Sequence, residues 1–541
     1  MELPSPTMTA AVPKDDAAAH PRANLTGNVL WGWLLLALAS VFASWAVFRQ
    51  FGGYDLSPLV DLFWRMRNGA VPGTDFINTW PPLLLLVAKA CAPFDLGWYE
   101  LTAANIVVAC AAFAALTALT PPAERTVALC TGLAMAVSVP LVYTNHIWHS
   151  SLSQYCAAAF FVAFFRCFDR RAWNRRRAAS LFITAAVLAL SKQNVALPFL
   201  AAGLAFASVF GGALRRTLLV TIVGGALAGI LLAVVLLPMS PASFLYSYVA
   251  GAGRGLPSHE MLESFRDGAT NLPTIELCLA AIAVMVLVIV PAGRLPVRQR
   301  LIAALFVAAS LIPIVTDWDA KLNNATLPLV IALVTIVAGT HRSGSRVKTG
   351  MAQVLLAGVL LVAVFGGASR ERMASVGPGA FWEPVAAHRI DHGYFNGLHS
   401  GRILADVLQE LEEIAATRRQ GRFFFGPRME FGYAELRVPS PTGLPLWWHP
   451  GSSYAPADEP RIISAFAAND IDTLVFLGDD RTRMPAGLLA YISRHYRLTA
   501  HRGSLQVFDR VKQAHPLHAT LHQAREPSAD RFQTMSGPRT S

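Results

Sequence analysis

Long apolar blocks alternate with short polar segments over the first 370 residues, and the blocks have the length of a bilayer. The first, Val29 to Phe48, is about 20 residues, enough for a helix to cross about 30 Å of hydrocarbon. Others fall at 99–120, 126–144, 153–168, 179–191, 195–211, 217–237, 273–291, 301–316, 325–340 and 350–368. No small-residue cleavage site clearly follows the first block, so it reads as a signal anchor. The pattern predicts a polytopic α-helical membrane protein with about eleven spans, occupying residues 29–369. One further apolar run, Leu83 to Phe94, is opened by Trp80-Pro81-Pro82 and is too short to cross. It reads as a juxtamembrane or re-entrant helix within one long outer loop, residues 49–98.

From residue 370 the periodicity changes. Leu404, Val407, Leu408, Leu411 and Ile414 recur at helical spacing and predict an amphipathic helix from Ile403 to Ala416. Short apolar runs at 422–425 and 473–477 predict buried strands, and Ser504 to Phe508 is a candidate last strand. Helices are expected at Glu459 to Ala468 and at Ala486 to His495. This alternating order predicts a small α/β domain over residues 370–510. Residues 1–28 and 511–541 are polar and read as disordered tails.

The net charge of +11 changes the picture less than its size suggests. The basic residues sit in short loops and form no basic face with interleaved aromatics, so a nucleic-acid partner is excluded. They set orientation instead. Arg125, Arg170, Arg171, Arg175, Arg176, Arg177, Arg215, Arg216, Arg294, Arg298, Arg300, Arg342, Arg346 and Lys348 fall in one alternate set of loops. That set is therefore cytoplasmic, provided 179–211 is a hairpin turning at Ser191-Lys192-Gln193-Asn194. The N-terminus is then cytoplasmic and the C-terminal α/β domain extracytoplasmic, or periplasmic, on an inner (plasma) membrane. None of the six cysteines lies in that domain, which needs no disulfide, and no Cys/His spacing points to zinc.

Candidate chemistry gathers in the outer loops. Asp55 follows closely on the first span, and Asp75 precedes the short apolar helix. Two carboxylates where lipid meets water can serve as the base for a hydroxyl and its partner, and they can equally cap local turns. Lys192 stands at the outer tip of the hairpin, where a lysine either meets an anion or snorkels to the interface. Lys321 offers a point charge to a phosphate, with Asp317 or Asp319 to hold it. Asp317-Trp318-Asp319 is also the one pattern open to a divalent metal, though without the further ligands such a site needs; no other cofactor is implied. His146 and His149 suit a sugar or phosphate, or simply the interface. Arg254, flanked by Gly253 and Gly255 in a candidate lid over 238–272, suits a phosphate contact. Gly426-Pro427-Arg428 and Trp447-Trp448-His449 suit sugar stacking or core packing. No Gly-rich nucleotide loop follows a predicted strand of the domain, which disfavours a nucleotide-sugar donor.

The first outer loop resembles that of the GT-C superfamily of membrane glycosyltransferases, which includes protein O-mannosyltransferases and lipid A aminoarabinose transferases. Asp55, Gly69, Pro72, Asp75, Phe76 and Pro81-Pro82-Leu83 follow the family's order. That order is an acidic residue after the first span, a helix ending in Gly, a Pro-x-x-Asp-Phe stretch, and Pro-Pro-Leu opening a short helix. The family often has an acidic pair at the first position, whereas Asp55 is followed by Leu56, so both Asp55 and Asp75 stay open as the base. A Ser-Lys turn like Ser191-Lys192 occurs at the same place in many members, which implies a place for Lys192 near the donor phosphate. The resemblance implies a GT-C-like fold that transfers a sugar, with inversion, from a polyprenyl-phosphate-linked donor. The acceptor would be a hydroxyl of a cell-envelope glycan, lipid or protein at the outer face of the membrane. A site then follows: Asp55 and Asp75 catalytic; Lys192, Lys321 and Arg254 on donor phosphate; His146, His149, Asp317 and Asp319 on substrate. The rival class is a transporter or lipid-linked saccharide flippase. It would place charges inside the spans and repeat one half in the other, and neither pattern is read.

Overall fold

Apolar length decides the first part of the structure and alternation the second. The computed structural model describes residues 51, 56–98, 100–101, 149–168, 173–249, 296–316, 329, 381, 387–418, 421–451, 453–478 and 484–511. Residues 49–98, the expected first outer loop, supply α1 (Leu56–Arg67) and α2 (Pro82–Cys91). A helical bundle follows: α3 (His149–Arg166), α4 (Arg175–Ala189), α5 (Gln193–Phe210), α6 (Arg215–Leu236) and α8 (Val297–Thr316), with the short α7 (Pro241–Val249) after α6. The expected spans at 153–168, 179–191, 195–211, 217–237 and 301–316 coincide with bundle helices. Those at 29–48, 126–144, 273–291 and 350–368, most of 99–120 and 325–340, and both tails lie outside the described residues.

Among the described residues, Gln193–Phe210 and Gly212–Leu236 are long and apolar enough to cross a membrane. Their outward faces carry Leu197, Val209, Val220, Leu227, Leu231 and Val235, each more than half exposed. A surface of that kind suits lipid rather than water. Inside, Phe306 of α8 packs among Phe160, Phe161 and Phe164 of α3 and Phe199 of α5, with ring centroids 5.4–6.0 Å apart. Helices α4 and α6 approach closely because Gly225 and Gly229 have no side chain. A Cβ on either would stand 2.4 Å from the carbonyl oxygen of Phe182 or Ala186. Four-residue spacing puts both glycines on one helix face, the small-residue contact that membrane helices use.

The C-terminal part contains β1 (His388–Arg389), β2 (His399–Ser400), α9 (Arg402–Thr417), β3 (Phe423–Phe425) and α10 (Gly432–Glu435). It continues with α11 (Glu459–Ala468), β4 (Thr473–Leu477), α12 (Ala486–His495), β5 (Tyr496–Arg502) and β6 (Leu505–Arg510). A four-stranded sheet runs β3-β4-β6-β5, parallel between β3 and β4 and antiparallel elsewhere. Alternation along the strands sorts the side chains to two faces. Phe423, Phe425, Val475 and Val507 share a core with Leu404, Val407, Leu408 and Leu411 of α9. Phe424, Leu474, Phe476 and Phe508 meet Ile462 and Phe466 of α11 and Leu488 and Ile492 of α12. The α9 core continues into Leu59, Phe63, Trp80 and Leu84 of the outer loop, so loop and domain are one packed body.

Three expectations change. Strand β5 was not foreseen; its residues are mostly exposed and it forms because its backbone pairs with β6. The apolar helix expected to run from Leu83 to Phe94 ends at Cys91. The candidate lid over 238–272 begins as a packed helix: Phe244 of α7 is buried and the Tyr246 hydroxyl donates to Asp458 of the domain. Residues 250–272 lie outside the described residues.

Candidate functional site

The predicted turn at Ser191-Lys192 is present and is clasped by three other segments. Helix α4 ends as Ser191 donates its N–H and hydroxyl to the Leu188 carbonyl at 3.0 and 2.8 Å. Lys192 is extended (φ −58°, ψ 126°) and opens α5, its carbonyl accepting the Val195 and Ala196 N–H groups. Across the turn, Leu83 donates its N–H to the Leu190 carbonyl at 2.9 Å. That N–H is one of the donors a helix leaves unpaired in its first turn, so the start of α2 is fixed to the hairpin tip. The sequence prepares this contact. Asn78 forms a pair of hydrogen bonds with the Trp80 backbone, 3.0 and 3.2 Å, and extended Pro81 places Pro82 at the first helical position, where its missing N–H costs nothing.

Helix α3 closes a second side. The Ser153 hydroxyl accepts the Lys192 N–H at 2.8 Å and donates to the His149 carbonyl at 2.6 Å. Lys192 and His149, both singled out from the sequence, are thereby joined through one oxygen. The His149 ring lies 6.1 Å from the Trp80 ring. Beside Ser153, the Gln154 side chain is fully buried and both its amide atoms lack a hydrogen-bond partner. Helix α7 closes the third side: the Tyr248 hydroxyl donates to the Ala189 carbonyl, and Gln193 donates to the Tyr248 carbonyl at 3.1 Å. Burial pushes the Tyr248 phenol above its usual value. The result is a half-buried lysine on a polar turn, among buried amide and hydroxyl groups, at the end of a bundle. A cation so placed can neutralise an anion presented from the lipid side.

Asp75 has a different setting. One carboxylate oxygen accepts the Val71 N–H at 2.7 Å, and its backbone carbonyl accepts the Gly443 N–H at 2.6 Å. It closes a turn and docks the loop on the C-terminal domain; Ile77 continues the docking by exchanging backbone bonds with Leu444 and Leu446. Asp55, Arg254, Lys321, His146, Asp317 and Asp319 lie outside the described residues. Trp448 is buried against Phe424 and Tyr454, in the core. Arg428 takes a left-handed backbone conformation (φ 70°).

A buried polar network beneath the loop was not foreseen. Asp61 and Arg65 of α1 form an ion pair at 2.7 Å, both almost fully buried. Ser440 donates to Asp61 at 2.5 Å, Arg65 donates to the Pro441 carbonyl at 2.8 Å, and Trp64 to the Val438 carbonyl at 2.8 Å. Desolvation pushes the Asp61 carboxyl upward, and Arg65 and Ser440 oppose it. Ser57 donates to Glu430 at 2.6 Å, and burial raises the Glu430 carboxyl to about 8. An Asp and an Arg four apart on an otherwise apolar helix was the one signal available for half of this network. Likewise, Ser153-Gln154 inside an apolar block marks polar groups kept in a span for a reason. Among the described residues, His392, Glu412 and Glu435 have ligand atoms close enough to share a metal ion.

The helix bundle, the loop clamped at the hairpin tip and the C-terminal α/β domain together make a fold shared with solved structures of ArnT. The chain is similar to the apo crystal structure of ArnT from Cupriavidus metallidurans, with a TM-score of 0.52 and 16% identity over 90% of this chain and 98% of that one. Against the same ArnT bound to undecaprenyl phosphate the TM-score is 0.51 at 14% identity, over 90% of this chain and 99% of that one. No family model matches the sequence, and no curated protein does.

Proposed function

We propose that the protein is a GT-C-type glycosyltransferase of the inner membrane, with about eleven spans and its C-terminal domain outside. It transfers a sugar, with inversion, from a polyprenyl-phosphate-linked donor to a hydroxyl of an envelope glycan, lipid or protein. The observation that carries this reading is the join between the Lys192 turn and the start of α2, in a fold shared end to end with a protein that binds undecaprenyl phosphate.

In this mechanism a carboxylate takes the proton of the acceptor hydroxyl. The freed oxygen pair attacks the anomeric carbon, and the bond from that carbon to the phosphate oxygen breaks on the opposite face. Lys192, with Lys321 and Arg254, holds the charge that gathers on the leaving polyprenyl phosphate, where fixed cations lower the barrier most. His146, His149, Asp317 and Asp319 bind the sugar. Asp55 is the base, and Asp75 its alternate, because one Asp75 oxygen is already occupied by the Val71 N–H.

The test compares membrane glycolipids and glycans, by mass spectrometry, in strains carrying Asp55→Asn, Asp75→Asn or Lys192→Ala. Asp55→Asn is expected to lower one transfer by about 10²–10⁴-fold at normal protein level. Asp75→Asn, whose amide oxygen still accepts the Val71 N–H, keeps most of the activity. An unchanged glycan profile with altered solute uptake would overturn the reading in favour of transport.

A further inference from the structure

We propose that His392, Glu412 and Glu435 of the C-terminal domain form a binding site for one divalent transition-metal ion of the zinc class, which staples the domain where it meets the first outer loop. The three side chains come from three segments: the turn at 391–393, α9 and α10. Their ligand atoms all lie within 4.8 Å of one another.

Hydrogen bonding at the cluster leaves one buried carboxylate oxygen unmet. Asp391 lies 2.9 Å from Nδ1 of His392, so that nitrogen carries the proton. Nε2 lies 3.3 Å from a Glu412 oxygen, where either a proton or a metal ion can bridge the two. One proton on Nε2 would satisfy that pair and leave the third group unmet. Glu435 is 6% exposed; Oε2 accepts the Tyr394 N–H at 2.8 Å, whereas Oε1 has no hydrogen-bond partner. A divalent ion answers all three groups, since its charge balances the two carboxylates.

The chemistry of the set fits zinc. One imidazole and two carboxylates are ligands zinc accepts, and bonds of about 2.0–2.2 Å place tetrahedral ligand atoms about 3.3–3.5 Å apart. Imidazole in the set disfavours magnesium and calcium. Asp391 behind His392 supplies the carboxylate that commonly fixes a ligating ring. Gly393 (φ 69°) makes room: a Cβ there would lie 1.9 Å from Oε1 of Glu435. His392 and Glu412 are about half exposed, so water completes the coordination. Next in the chain, the Tyr394 carbonyl accepts the Trp98 N–H at 3.1 Å, and Phe395 packs on Phe51 and Trp98. Fixing residue 392 therefore fixes the seam between domain and loop.

The test is metal content and affinity of the full-length protein in detergent, stripped with chelator and titrated with Zn²⁺ by calorimetry, then with Co²⁺ by visible absorption. The wild type is expected to take up about one Zn²⁺ per chain. His392→Ala and Glu412→Gln, both at exposed positions, should weaken binding by about 100-fold or more and abolish the cobalt bands; Asp391→Asn should weaken it by about 10–100-fold. A wild type that binds no Zn²⁺, or variants that bind as tightly as the wild type, would overturn the proposal. Metal uptake is read without any transfer reaction, so this result is independent of the glycosyltransferase reading.

Discussion

The helical bundle and the C-terminal domain bury apolar side chains by opposite rules. On the bundle, Leu197, Leu227, Leu231 and Val235 face outward and glycines face the neighbouring helix. On the domain, Ile403 and Leu498 are the large apolar residues left exposed among the described ones, and aromatic rings fill both faces of the sheet. The difference follows from the solvent. Lipid tails are as apolar as leucine, so helices there gain from close packing rather than from hiding hydrophobic area. The domain sits in water and draws its stability from area removed from it.

Matched substitutions sharpen the contrast. Phe424→Ala, in the core beneath α11, should cost about 3–5 kcal/mol. Phe306→Ala, at the centre of the bundle's ring cluster, should cost less, because the transfer part of that penalty vanishes in lipid. Thermal unfolding of both variants in nanodiscs measures the gap, and equal losses would break the comparison. Next in size, Leu231→Lys on the outer face of α6 should cost about 2.5–3.5 kcal/mol of insertion. Leu498→Lys on exposed β5 should stay within about 0.5 kcal/mol. Membrane yield and melting temperature separate them.

The third contrast concerns the seam between loop and domain. Glu430 in the folded protein holds its proton up to about pH 8, whereas an unfolded Glu releases it near 4.5. Its contribution is fully present below the unfolded value and is lost as pH rises through 8. Glu430→Gln keeps an acceptor for Ser57 and removes this loss. The variant should gain on the wild type by up to a few kcal/mol between pH 5 and pH 9. Every other acid, Glu435 included, is the same in both proteins and cancels in the difference. Melting temperatures at pH 5, 7 and 9 read the effect; parallel curves would mean that Glu430 is not a buried acid.

Much of the fold was legible residue by residue. The leucines of α9 and the apolar stretches of α11 and α12 gave those helices to within a residue, because a 3.6-residue period states which face is buried. The apolar runs at 422–425 and 473–477 gave β3, one residue shorter, and β4. Strand β5 was missed although Tyr496, Leu498 and Ala500 alternate with polar residues; most of it is exposed, and its ladder to β6 holds it. At the site, Lys192 was legible as a cation at a turn between two spans. Ser153, which joins it to His149, was one serine among several, and Glu430 lies 373 residues from its partner Ser57. The His392 cluster matched no ligand spacing, because its members come from three segments.

The sequence alone determined which stretches are helices or strands, which of them prefer lipid, and where the chain turns, since these depend on period and length within one segment. Only the tertiary structure decided that the Leu190 carbonyl meets Leu83, that Asp61 and Arg65 are sealed under Ser440 and Pro441, and that Glu435 is left short of a partner. Those outcomes depend on directional bonds between distant residues, and a local pattern carries no information about which distant group will complete the bond.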